Sequence, residues 1–182
     1  MKYGCILMDP PWAFKTYSGR NTIAHRSAND HYRTMDLHQI AGLPVSELAA
    51  RDCALFMWVV DSHLDAALDL FKVWGFKFKT RAFTWVKTGN IGMGYWTRKQ
   101  SEMCLLATRG KPRRKSKGVR EIIEAPRREH SRKPDEQYAR IEALVGGPYL
   151  EMFARQERPG WSAWGNETTK FNAAADVRAA AD

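Results

Sequence analysis

Two stretches of the chain, GCILM at residues 4–8 and CALFMWVV at 53–60, are apolar at almost every position. A strand with one face in water alternates apolar and polar residues, so near-continuous runs belong to strands covered on both faces of a sheet. The cover must come from helices, and helical patterns lie between the strand-like segments. Strands are predicted at 3–8, 53–60, 76–87, 101–108, 119–124, 149–154 and 161–164. Residues 62–75 repeat apolar positions at helical spacing, with Ser62 as candidate N-cap and Gly75 as the stop. Residues 133–147 place Pro134 in a first turn, Asp135 and Glu136 at the positive helix end, and Gly146-Gly147 as terminator. A weaker helix is predicted over 36–50, interrupted around Gly42 and Pro44. Strands alternating with helices make an α/β fold, a sheet with helices on both faces. In such sheets ligands bind outside the carboxyl ends of the strands. At 182 residues the chain fits one domain, 1–171, followed by a simple Ala-rich tail, 172–182, expected to be flexible.

The first strand ends abruptly in DPPW, residues 9–12. Asp9 offers carboxylate acceptors. Pro10 cannot donate to a sheet ladder, but its carbonyl can accept a hydrogen bond. Pro11 restrains Pro10 to an extended conformation and fixes where that carbonyl points. Trp12 supplies a broad face for a flat ring. Two acceptors beside a stacking surface complement a planar group bearing an NH₂, such as the exocyclic amine of adenine or cytosine. Holding both amine hydrogens opposes delocalisation of the nitrogen lone pair and makes the nitrogen a better nucleophile. A turn alone would account for the prolines, but not for the acid and the indole.

Charge points the same way. Twenty-nine Lys and Arg against twenty Asp and Glu give +9, and residues 109–133 hold eleven Lys and Arg against three Glu. Such a field favours polyanions, and the many aromatics make nucleic acid the expected partner. Two long unpatterned loops, 13–33 and 88–100, interleave cations with aromatics, as base stacking with phosphate contact requires. Candidate substrate contacts are Lys15, Tyr17, Arg20, His31 and Tyr32 in the first loop and Trp96, Arg98 and Lys99 in the second, with Glu102 just beyond. Cys5, Cys53 and Cys104 lie in apolar segments without metal-ligand spacing, so reduced core thiols and no metal are expected. Without an apolar run of membrane-spanning length or a leader pattern, a cytoplasmic protein is expected.

The DPPW tip after an apolar strand resembles motif IV of the amino-methyltransferases, in the form used by the MT-A70 family of adenine-N6 methyltransferases. The likeness continues in LFMWVV…FTWVKT, SEMCLLATRGKP, HSRKPDEQYARIEAL and YLEMFARQERPGWSAWGNE, in the family's order. It implies a Rossmann-like methyltransferase fold with a mixed sheet and the permuted, β-type motif order. It also implies S-adenosylmethionine as donor and adenine in nucleic acid as acceptor. Carried over, Asp9, Pro10, Pro11 and Trp12 form the catalytic tip. Asp9, Lys133, Phe153, Arg155, Asn166 and Glu167 meet the cofactor, with Lys133 near its carboxylate and Asn166 and Glu167 at its ribose. Glu157 and Arg158 stand where eukaryotic messenger-RNA enzymes have His and Asn, and FAR stands in place of a glycine loop. The compact chain resembles the bacterial or phage members that modify DNA, and a homodimer would suit so small a protein acting on a duplex. An RNA-directed enzyme and an inactive nucleic-acid-binding scaffold are the alternatives.

Overall fold

The computed structural model describes residues 1–13, 34–89, 94, 96–128 and 132–172. One seven-stranded sheet runs through them, in the order β5-β3-β4-β2-β1-β6-β7. The strands are β1 (Tyr3–Met8), β2 (Ala49–Val59), β3 (Lys77–Thr88), β4 (Ser101–Arg109), β5 (Ile122–Pro126), β6 (Tyr149–Met152) and β7 (Trp161–Trp164). β1 pairs in parallel with β2 and β6, β6 with β7, and β3 with β5. β4 alone runs against its neighbours β2 and β3, so the sheet is mixed. The carboxyl ends of six strands and the amino end of β4 therefore share one end of the sheet.

The continuous apolar runs fill two cores. Ile6, Met8, Leu55 and Met57 face α1 (Leu37–Ala41), α2 (Val45–Leu48) and α3 (Leu64–Val73). Cys5, Leu7, Ala54 and Phe56 face α4 (Glu136–Leu144), which contributes Tyr138 and Ile141. Period-2 side chains divided between two helix-covered faces are what those runs require. Each fully buried large apolar side chain contributes roughly 1.5–3 kcal/mol, so Phe71 and Trp74 firmly seat α3. The three cysteines are buried thiols, and no helix among the described residues is long and apolar enough to cross a membrane.

Local expectations needed correction in three places. Residues 36–50 form two short helices, and Ala49 and Ala50 already belong to β2. Asp36 caps the first through a reciprocal pair with Gln39. Ser62 is not the N-cap of α3: a 3-10 turn, Asp61–His63, precedes the helix, and the Ser62 hydroxyl meets His63 Nδ1 at 3.0 Å. The strand expected at 119–124 starts at Ile122 instead, with Val119 packed against the core ahead of it. Gly75 does stop α3. At φ +76 it lets its own N–H reach Lys72 O and that of Phe76 reach Phe71 O, a Schellman closure.

Candidate active site

Met8 pairs with Met152, so Asp9 and Phe153 leave the sheet side by side from β1 and β6. Beyond Asp9 the chain turns tightly. The Trp12 N–H donates to Pro10 O at 2.9 Å, and the Met35 N–H donates to Pro11 O at 2.9 Å, tying the segment after the first loop to the tip. The Pro10 carbonyl thus has one lone pair engaged and a second to offer.

Trp12 departs from expectation. It is 3% exposed and packed in the core, its indole N–H directed at Trp58 O (3.3 Å) and its ring 5.3 Å from that of His63. The indole braces the turn rather than presenting a free stacking face.

Asp9 is held from behind. Its Oδ2 accepts from Lys133 Nζ at 2.6 Å, and the same ammonium lies 3.3 Å from Glu102 Oε2. Glu102 also pairs with Lys87. Four charges of alternating sign, Asp9, Lys133, Glu102 and Lys87, run from the half-open tip into the sheet. The side chain of Asp9 is 36% exposed, whereas those of Lys133, Glu102 and Lys87 are 9%, 17% and 10%. Burial pulls the Lys133 ammonium towards neutrality, but Asp9 and Glu102 outweigh it and hold the proton more tightly than usual. Burial likewise pushes the Glu102 carboxyl up, and Lys133 and Lys87 bring it below its ordinary range. The Lys133 ammonium also lies 5.6 Å from the Trp58 ring centre.

Two cavities meet at Asp9. One, lined by Asp9, Arg132, Lys133, Asp135 and Glu151 together with Leu7, Trp58, Phe153 and Phe171 among others, sets charges of both signs in a mixed, largely apolar wall. Its Glu151 carboxyl is pushed up to about 7, mainly by burial, against a hydrogen bond from the Tyr138 hydroxyl at 2.9 Å. The other, about 290 Å³, lies between the tips of β1 and β6 and is lined by Asp9, Pro11, Phe153, Arg155, Asn166 and Glu167, with Met35 and Gln39 opposite. Phe153 turns the chain there at φ +63, and its ring meets Trp164 edge-on at 5.6 Å. A positive φ is unfavourable for a side chain that bulky and recurs at ligand-binding turns. Arg155 Nε lies 3.4 Å from Glu167 Oε2, closing the far wall.

The six residues matched to the cofactor, 124 to 158 positions apart from the tip for the distal five, therefore converge on these two cavities. Lys15, Tyr17, Arg20, His31 and Tyr32 lie outside the described residues. In the second loop Trp96 is 90% exposed and Lys99 pairs with Asp61. Glu102 is bracketed by two ammonium groups behind Asp9. Sequence reasoning missed Lys87, Glu151 and Gln137, whose Oε1 accepts from the Trp58 indole at 2.7 Å. A signal was present for Glu151, the lone charge in the otherwise apolar β6, but not for Lys87, whose strand carries several other polar residues.

The MT-A70 family model matches residues 3–167. Among curated proteins, the type II methyltransferase M.MunI of a Mycoplasma species is 33% identical over 91% of this chain and 78% of its own length. The N(6)-adenine-specific methyltransferase METTL4 of Mus musculus is 29% identical over 93% of this chain. The human N(6)-adenosine-methyltransferase catalytic subunit METTL3 is 28% identical over 91% of it. The chain spans only 38% and 28% of those last two proteins. With the acid-Pro-Pro-Trp tip beside a two-part cavity, and a family match over nearly the whole length, the chain belongs to the MT-A70 family.

Proposed function

We propose that this protein transfers a methyl group from S-adenosylmethionine to the N6 amino group of an adenine in DNA. The observation that carries the reading is Asp9 standing at the junction of the two cavities, with Lys133 behind it. The donor set fits the cofactor. A cavity that carries charges of both signs suits a zwitterionic amino-acid end, and Asn166 and Glu167 in the roomier cavity suit a ribose diol. Lys133 would hold the carboxylate, Phe153 and Arg155 the adenosine portion, and Asn166 with Glu167 the ribose. When bound, the cofactor supplies a methyl group made electrophilic by its sulfonium.

This chain's own groups then act on the amine. The Asp9 carboxylate accepts one amine hydrogen and the second lone pair of the Pro10 carbonyl accepts the other. With both hydrogens held in fixed directions, the nitrogen lone pair is turned out of the ring to form the new N–C bond, and the nitrogen then releases one of those two protons to water. Lys133 and Trp12 keep the two acceptors in place, so little reorganisation is needed at reaction. An adenine in a duplex must be flipped out of the stack to reach this tip, or be taken from a single strand.

Incubation with labelled S-adenosylmethionine and matched DNA and RNA strands tests the reading. Label is expected in N6-methyladenine of DNA, and Asp9→Ala should abolish it with modest loss of nucleic-acid binding. Full activity of that variant would sink the amine clamp. Label in RNA alone would favour a reaction on adenosine, as named for METTL3.

A further inference from the structure

Among the described residues, most cations at the reacting end are paired with carboxylates. At the reacting end, Lys133 faces Asp9 and Glu102, Arg155 faces Glu167, and Arg128, Arg132 and Arg158 all face Asp135. Those cations are largely neutralised. The opposite end of the sheet differs. β4 leaves it at Arg109, and residues 110–120 cross beneath the sheet towards the carboxyl end of α4. That crossing is ordered rather than loose. The Lys111 N–H donates to Asp52 Oδ1 at 2.7 Å, the Lys115 N–H to Leu144 O at 2.8 Å, and Arg114 forms a bridge with Val145. Lys115 itself caps the helix through Glu142 O at 2.6 Å. Beside the crossing, Lys77 and Lys79 open β3, with Lys77 in register with Thr108. Lys77, Lys79, Lys111, Arg113, Arg114 and Lys117 are all exposed, and none has a carboxylate partner among the described residues.

We infer that this far end is a second nucleic-acid-binding surface, which holds the phosphodiester backbone of the substrate away from the site of methyl transfer. The inference rests on the proposed function for the identity of the polyanion. From Glu102 to Arg109 the strand rises about 3.3 Å per residue, so the surface lies about 23 Å from the reacting end. Between the two, along β5 and the start of α4, Glu121, Glu124 and Glu136 alternate with Arg120 and Arg140, so that among the described residues this side carries mixed charge rather than a cationic track. The surface therefore engages a separate stretch of a long molecule. Its chemistry suits phosphate rather than a membrane or a protein hot spot. Val119 packs against the core, and the remainder of 110–120 is Lys, Arg, Ser, Gly and one Pro. A tether of this kind raises the local concentration of target bases at the tip without contacting them.

The test combines Lys111→Gln, Arg113→Gln, Arg114→Gln and Lys117→Gln in one variant of the full chain, with circular dichroism and melting to confirm the fold. Binding is measured against random-sequence DNA single strands of about 60 and about 4 nucleotides, with RNA of both lengths and phosphatidylserine vesicles as further arms. On the long strand the variant should bind at least about tenfold more weakly near 0.15 M salt, and its log K versus log salt slope should fall by about 0.7 for each phosphate it no longer neutralises. Methyl transfer to the short strand should stay within about twofold, since so short a strand reaches the tip without spanning the ~23 Å to the far surface. Unchanged affinity and slope on long DNA and RNA overturn the inference, as does a loss confined to the vesicles. Loss of long-polymer binding in a protein that methylates nothing overturns the proposed function and leaves the surface standing.

Discussion

Glu102 holds two ammonium groups apart, and removing either leaves a buried carboxylate half compensated. Lys87→Met removes the one farther from Asp9. Breaking a fully buried pair costs about 3–5 kcal/mol, and since Glu102 keeps Lys133 we expect a loss nearer 1–2 kcal/mol. The folded-state carboxyl of Glu102 lies below its ordinary value, so its contribution is present at neutral pH and fades in acid. The gap between wild type and Lys87→Met should therefore be widest near neutrality and close in acid, as read by denaturant titration at several pH values. Because Lys133 then leans towards Glu102, kcat should fall more than KM rises, and Lys87→Arg should restore part of it. Glu151 has the opposite sign. Its carboxyl is raised from an ordinary 4.5 to about 7, so between those values the folded state binds the extra proton and stability falls as pH rises. Glu151→Gln should be more stable than wild type at pH 8, by on the order of 2 kcal/mol, and indistinguishable from it near pH 4. A melting series over that range checks it. Lys87 does not stand out in the sequence, whereas Asp9 does. Asp9 announces itself through rigid, unusual neighbours, but the meaning of Lys87 depends on Glu102, fifteen positions on, and on a register in which Trp85 lies opposite Glu102. Trp12 shows the reverse failing. Its type was legible, but which way the indole faced was decided by Trp58 O, on another strand.

At the scale of elements, the tips of β6 and β7 depend on close approach. A Cβ at Gly165 would stand 3.1 Å from Ala154 O and 3.2 Å from Phe153 Cα. Gly165→Ala must therefore push β7 away from the turn that carries Phe153 and Arg155. Overpacking of this kind costs about 1–3 kcal/mol. The stabilisation by S-adenosylmethionine should shrink by more than the melting temperature of the free protein, measured by paired melts with and without it. Elements with their own punctuation were readable. α3 ends where Gly75 says it must, and β1 and β2 are where the apolar runs lie. The segment over 36–50 was harder, because Pro44 and the apolar residues around it suit a broken helix and the start of β2 equally well. Only pairing of Ala49 with Tyr3 settles where the strand begins.

For the whole molecule, the cofactor reading makes a thermodynamic demand. A ligand that binds only the folded chain stabilises it by about 2.7 kcal/mol at a hundredfold excess over Kd. For a chain of this size that is a rise of roughly 5–10 °C in Tm, and its absence would count directly against S-adenosylmethionine. The α/β class and helices on both faces followed from periodicity alone. Strand order did not, because it is set by contacts between segments far apart in the chain, such as β1 with β6. The lone reversed strand has a further consequence. Since β4 runs against β3, the carboxyl end of β3 and the amino end of β4 lie together at the reacting end, Val86 opposite Ser101, and Glu102 enters the site from the start of a strand rather than its finish. A connection between two antiparallel neighbours can be lengthened, shortened or exchanged without re-registering any strand. Exchanging residues 89–100 for those of a relative should therefore leave the sheet and the Asp9–Lys133 pair intact, as read by melting, and methyl transfer to a panel of DNA sequences measures whether target choice follows the exchanged residues.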